Sequence, residues 1–177
     1  GKGAGFARWA KQHNLKEMSR TLVFLQENKI GGIEEMQERV DAATARYHEL
    51  GDSIKASEMR LAEIAVLKAH IINYAKTRPA YDAYRKTGYS KRFLETHRTE
   101  ITLHKAAKAA FDEANLKTLP KAKELDAEYF KLLTEKKARY PDYRKAKEEM
   151  QELLRAQKNI ELFFDEEKNP KQTEHSR

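Results

Sequence analysis

Seven basic side chains crowd into residues 76–98: Lys76, Arg78, Arg85, Lys86, Lys91, Arg92 and Arg98, against two acids, Asp82 and Glu95. Tyr81, Tyr84, Tyr89 and Phe93 are interleaved with them. Lys and Arg neutralise phosphates, and aromatic faces stack on unpaired bases, so this mixture suits contact with nucleic acid. The plainer alternative is a solvated cationic face whose aromatics pack inward.

Other chemistry has weaker support. His97, Glu100 and His104 recur at i, i+3 and i+7, which would place them on one helix face where a metal needs ligands clustered. No further His, Asp or Glu is placed to complete a shell, so ordinary seam and surface residues explain them, and no metal or cofactor is expected. The pairs Tyr81/Tyr84 and Tyr140/Tyr143 lack the neighbouring base or metal that a tyrosine nucleophile requires. At that spacing they read as packing residues with wet hydroxyls. Gly1-Lys2-Gly3 has neither the spacing nor the preceding strand of a phosphate loop. With no Cys in the chain, thiolate chemistry and disulfides are excluded, and a reducing compartment fits. The expectation is a chain without catalytic residues.

The elements that would carry these residues are helical. Charged residues make up 36% of the 177, above the roughly 25% of an average domain, so much of the chain must be surface. Seven Gly and four Pro leave too few turns for a sandwich or barrel. Segments 6–13 and 15–28 read as two short helices or one bent helix, with Phe6, Trp9, Met18, Leu22 and Leu25 as its stripe. Gly31-Gly32, free to take angles barred to other residues, then breaks the pattern. From Ile33 the apolar positions run Met36, Val40, Ala43, Tyr47, Leu50, Ile54, in alternating steps of three and four. That is a coiled-coil seam, and it resumes at Leu61, Ile64, Leu67, Ile71 and Tyr74 with a slip of one position. Gly51 within it weakens the helix by about 1 kcal/mol without stopping it.

Pro79 predicts a kink or break near Thr77, followed by a short helix over 79–86 that Gly88 stops. Ser90 should cap a helix over 91–114, with Tyr89 and Leu94 as a hydrophobic staple. Thr118 and Pro120 should open the last helix, whose stripe is Leu125, Tyr129, Leu132, Tyr143, Ala146, Met150, Leu153, Ile160 and Phe164. Lys136, Arg139 and Gln157 interrupt that stripe, and Pro141 should kink the helix. The economical arrangement pairs 33–76 with 120–164 antiparallel, with self-association through the same seams as the rival. The expected fold is therefore all-α, an elongated antiparallel coiled-coil-like bundle with shorter helices at its ends. Its expected segments are short helices over 1–30, a helical domain over 31–165 and a disordered tail over 166–177.

Net charge is +7, and residues 66–121 hold twelve Lys/Arg against five acids, an excess that equals the whole. Polyanions are thus plausible partners, met at the middle of the chain. No apolar run approaches the roughly 20 residues of a membrane span, so no membrane insertion is expected. The chain opens on Gly rather than Met and lacks a signal-peptide pattern, so we expect an excised piece of a longer protein, in the cytoplasm.

Four stretches carry a resemblance: GKGAGFARWAKQHNLKEMSRTLVFLQE at 1–27, AEIAVLKAHIINYAKTRPAYDAYRKTGYSKRFLETH at 62–97, ITLHKAAKAAFDE at 101–113 and YRKAKEEMQELL at 143–154. They resemble the helical region that follows the nuclease domain in relaxase/mobilisation proteins of bacterial conjugative and mobilisable elements. Relaxases nick one DNA strand with a tyrosine and a histidine-held metal in an amino-terminal domain, and that domain has no counterpart in these residues. The resemblance therefore implies a non-catalytic extension that contacts DNA near the transfer origin or helps assemble the transfer complex. Its expected partners are DNA and conjugation or relaxosome proteins. The rival is a coiled-coil docking or spacer element that does not touch DNA. Pro141 departs from the unbroken helix that the resemblance implies at that point.

Overall fold

Three helix ends share one local design in the computed structural model of this chain, which describes residues 2–168 and the side chains of 11–165. Helix α1 (Lys2–Glu27) closes with Ile30 N–H donating to the Leu25 carbonyl and Lys29 N–H to that of Gln26. Helix α2 (Ile33–Lys86) closes in the same way, Tyr89 to Tyr84 and Gly88 to Arg85. Helix α4 (Arg98–Glu113) repeats it with Leu116 to Phe111 and Asn115 to Asp112. This nested pair of bonds satisfies carbonyls left over at a helix end, and it requires a left-handed residue. Lys29 (φ 54°), Gly88 (φ 67°) and Asn115 (φ 52°) supply it. Gly88 thus stops its helix as expected. Gly31 and Gly32 do not take left-handed angles; Lys29 turns the chain before them. Glu35 instead holds the entry to α2 by accepting from Gly31 N–H at 2.7 Å.

Helix α3 (Lys91–Thr96) and helix α5 (Ala122–Lys168) complete an all-α chain with no strand among the described residues. Helix α1 is one helix, not two; the side chains of Phe6 and Trp9 lie outside the described residues. Helix α2 runs unbroken through Pro79, contrary to the expected break near Thr77. Packing holds it: Thr77 before the proline and Tyr81 and Tyr84 after it are all engaged with neighbouring elements, which offsets one lost hydrogen bond. Helix α5 likewise continues through Pro141. It begins at Ala122, where Lys121 offers its carbonyl to the first turn, so Thr118 and Pro120 precede the helix rather than lie in it. The helix reaches Lys168, three residues into the expected tail; 169–177 lie outside the described residues.

The helix expected over 91–114 is divided at His97, whose φ of −118° and ψ of 28° are not helical. The hydrogen-bond ladder survives the bend, His97 N–H reaching Phe93 and the His97 carbonyl receiving Ile101 N–H, both at 3.0 Å. The imidazole stacks on the Phe93 ring 4.2 Å away, the neighbour four residues back on the same face. Ser90 caps α3 as expected, its hydroxyl accepting from Phe93 N–H.

The chain divides between Asp52 and Ser53 and between Tyr140 and Pro141 into two compact units, so both long helices contribute to each. That division does not follow the expected segments 1–30, 31–165 and 166–177. In the unit containing α1, the start of α2 runs antiparallel to the end of α5, with Gln37 beside Gln157 and Tyr47 beside Tyr143. Ile30, Met36, Val40, Leu153 and Ala156 form its core, with Phe24, Leu25, Ala43 and Ile160 against them. Gly51 gives the Tyr143 ring room: a Cβ there would stand 3.3 Å from it. Ile33, expected to start the seam, is exposed instead.

In the second unit the polar residues that interrupt the α5 stripe meet partners on α2. Lys136 pairs with Glu58 at 3.0 Å, and Arg139 donates to Ser57, a buried residue that continues the seam between Ile54 and Leu61. Arg60 grips Glu128 through two bonds of 2.7 and 3.1 Å, and Lys68 pairs with Asp126. Glu128 thus occupies the α2-facing position where Tyr129 was expected, and Tyr129 is exposed. Such polar matches fix register better than apolar contacts, which tolerate sliding.

Candidate nucleic-acid interface

The basic segment lies in the second unit, on the end of α2, on α3 and at the start of α4. A ring stack joins these helices. His104 of α4 lies between Tyr74 and Tyr81 of α2, each ring 4.4 Å away and nearly parallel. Phe111 meets Tyr74 edge-on at 5.5 Å. Tyr84, buried, receives the edge of Tyr89 at 5.2 Å and faces Phe93 of α3 at 6.2 Å. Because Tyr74 contacts Phe111 while Tyr84 lies under Lys105, the end of α2 and α4 run antiparallel.

His104 is 3% exposed, and its Nδ1 lies 3.1 Å from the Thr77 hydroxyl. Thr77 spends its single hydroxyl proton on the Asn73 carbonyl at 2.6 Å. Its oxygen is then left to accept from His104 Nδ1–H, which assigns the neutral tautomer. Burial holds the imidazole below its ordinary pKa; Asp82 and the backbone of Tyr74 oppose this, while Lys108 and Arg78 reinforce it. His97 is spent on Phe93 and Glu100 is exposed, so the suspected trio is not assembled. No group of three His, Asp or Glu able to hold a metal occurs among the described residues.

All seven sequence-selected bases are exposed. Of these seven, Arg78 alone has a carboxylate among the described residues within ion-pair distance, Asp82 at 3.9 Å. The packing sorts them. Arg78 and Arg85 each follow a seam residue, Thr77 and Tyr84, and so flank the seam on one side. Lys105 and Lys108 follow His104 by one and four residues on α4. In an antiparallel pair, residues that trail the seam on either helix fall on the same side. Lys105 Nζ stands 5.8 Å from the ring of Tyr84, the residue before Arg85, which agrees with this placement. Arg98, one helical heptad before Lys105, extends the α4 row. Lys76 and Lys86 point about 80° or more away from Arg78 and Arg85 at 100° per residue and do not join this side. Lys91 and Arg92 are exposed on α3.

Lys105 and Lys108 were missed in the sequence because they follow the dense cluster, within an Ala-rich stretch. Their signal was positional: each sits beside His104 in the α4 pattern Ile101, His104, Ala107, Phe111, whose members are all buried. The aromatic half of the expected site is not free. Tyr81, Tyr84 and Phe93 are engaged with other rings, and only Tyr89, 56% exposed, leaves much of its surface in water.

Comparison with protein-family models, with curated proteins and with solved structures found no match for this chain. No helix among the described residues is long and apolar enough to cross a membrane.

Proposed function

We propose that this chain is a non-catalytic helical module of a relaxase or mobilisation protein, assisting conjugative transfer by holding DNA through phosphate contacts. The observation that carries the DNA contact is the basic side of the α2–α4 pair. There, five exposed cations from two helices fall on one side, with Asp82 and Asp112 as the acids among them. Such a surface attracts a polyanion without reading sequence. The relaxase assignment rests on the four resembling stretches alone. Fluorescence anisotropy with labelled DNA tests the contact. Binding should weaken steeply with salt and be lost when Arg78, Arg85, Lys105 and Lys108 are reversed to Glu. Absence of binding at low salt would sink it.

One observation favours docking on a protein instead. Met59 and Val66 are more than half exposed on α2, and Ala62 and Ala69, also exposed, complete a run in steps of three and four. A mass that rises with protein concentration, together with no DNA binding, would support that second reading.

A further inference from the structure

We propose that the basic side of the α2–α4 pair takes double-helical DNA by its phosphates alone and favours the duplex over either separated strand. The inference rests on the DNA-contact reading and narrows it.

Proteins that hold single strands offer aromatic faces on which unpaired bases stack. Here those faces are used within the protein. Tyr74 and Tyr81 enclose His104, Phe93 lies between Tyr84 and His97, and Tyr84 is buried. Tyr89 is the one ring of this cluster with much surface in water, and its edge is set against Tyr84. Except at Tyr89, a base could stack only where one of these contacts broke. Phosphates need no such rearrangement, because the cations are already outside.

The cations also form two rows rather than one. On α2, Arg78 and Arg85 are seven residues apart, about 10 Å along the axis. On α4, Arg98 and Lys105 have the same spacing, and Lys108 continues the row. Packed helices lie about 8–10 Å apart, so the rows are separated by a similar distance. A single strand presents one line of phosphates and fills one row. A duplex presents two lines facing across grooves about 6 and 12 Å wide, and at one charge per roughly 1.7 Å it also has the denser field. Asp82, within reach of Arg78, and exposed Asp112, which trails Phe111 at the far end of the α4 row, are the acids on this side that oppose a polyanion.

The test uses the whole chain and a short fluorescein-labelled duplex beside its labelled single strand, read by anisotropy across salt. With about four phosphates engaged, duplex affinity should fall roughly a hundredfold between about 50 and 200 mM salt. Replacing Arg85, Lys105 and Lys108 by Gln should flatten the logarithmic salt slope by about 2.7. Asp82→Asn should tighten the duplex complex about two- to fivefold, a gain that misfolding cannot mimic. Tyr89→Ala should leave it unchanged. Preference for the single strand, or a single-strand complex weakened by Tyr89→Ala, would overturn the inference while DNA contact itself stood. Binding to neither form at the lowest salt would remove both.

Discussion

Thr77→Val should expose how the α2–α4 seam is held, since it removes one oxygen from a buried site while keeping the side-chain volume. Thr77 is 5% exposed, and its hydroxyl links the Asn73 carbonyl to His104 Nδ1. Valine leaves the imidazole N–H facing a methyl group between two tyrosine rings. A buried donor left unpaired costs about 1–3 kcal/mol, more than the roughly 1 kcal/mol an average hydrogen bond contributes. His104→Phe in the same background removes the stranded donor and keeps an aromatic between Tyr74 and Tyr81, so the double variant should recover most of the loss. Urea denaturation followed by circular dichroism supplies the four stabilities of the cycle. The pH dependence checks the same contact independently. The folded imidazole titrates below 6.5 because burial disfavours its charge. Hence as pH falls through about 6.5 the unfolded chain gains a proton that the folded chain refuses, and stability drops until the folded imidazole itself protonates. His104→Phe should abolish that component. Additive losses in the cycle, or an unchanged pH profile in His104→Phe, would refute the arrangement.

Four further substitutions follow from the same structure. Lys29→Gly should stabilise the chain by about 0.5–1 kcal/mol and Gly88→Ala should destabilise it by about 1–2 kcal/mol, because both positions are left-handed and only one now has glycine; thermal melts distinguish the signs. Met36→Ala, at a site 2% exposed in the core of the first unit, should cost about 2–5 kcal/mol by denaturant titration. Arg60→Ala should cost under about 1 kcal/mol despite its two bonds to Glu128, and less at high salt, since both side chains are about two-fifths exposed.

The seams were legible in the sequence because a helix repeats its faces at a fixed interval. Met36, Val40, Ile54, Leu61 and Ile64 are buried where the three-and-four spacing puts them. Ser57, the seam member that the apolar pattern skipped, is buried because Arg139 crosses to meet its hydroxyl, a contact between residues far apart in the chain. The same limit hid the polar register pairs, of which one partner alone looks like an interruption.

For the candidate interface, local composition was enough to find Arg78, Arg85 and Arg98 and to put the aromatics beside them, while Lys105 and Lys108 escaped it. Local rules were equally sufficient for Gly88 as a helix stop and Ser90 as a cap, because each acts on backbone within a few residues. They failed at Pro79, where contacts of Thr77 and Tyr81 with His104, more than twenty residues away, outweigh the proline penalty, and they gave no sign of the bend at His97. Which aromatics stay free, and which cations share a side, depended on α4 folding back on α2. That reversal uses rings more than twenty residues apart, bringing Tyr81 onto His104 and Lys105 over the Tyr84 ring. Charge, helix period and caps are properties of neighbouring residues and can be read from the chain. The pairing of faces is a long-range choice made by packing, and it decided both.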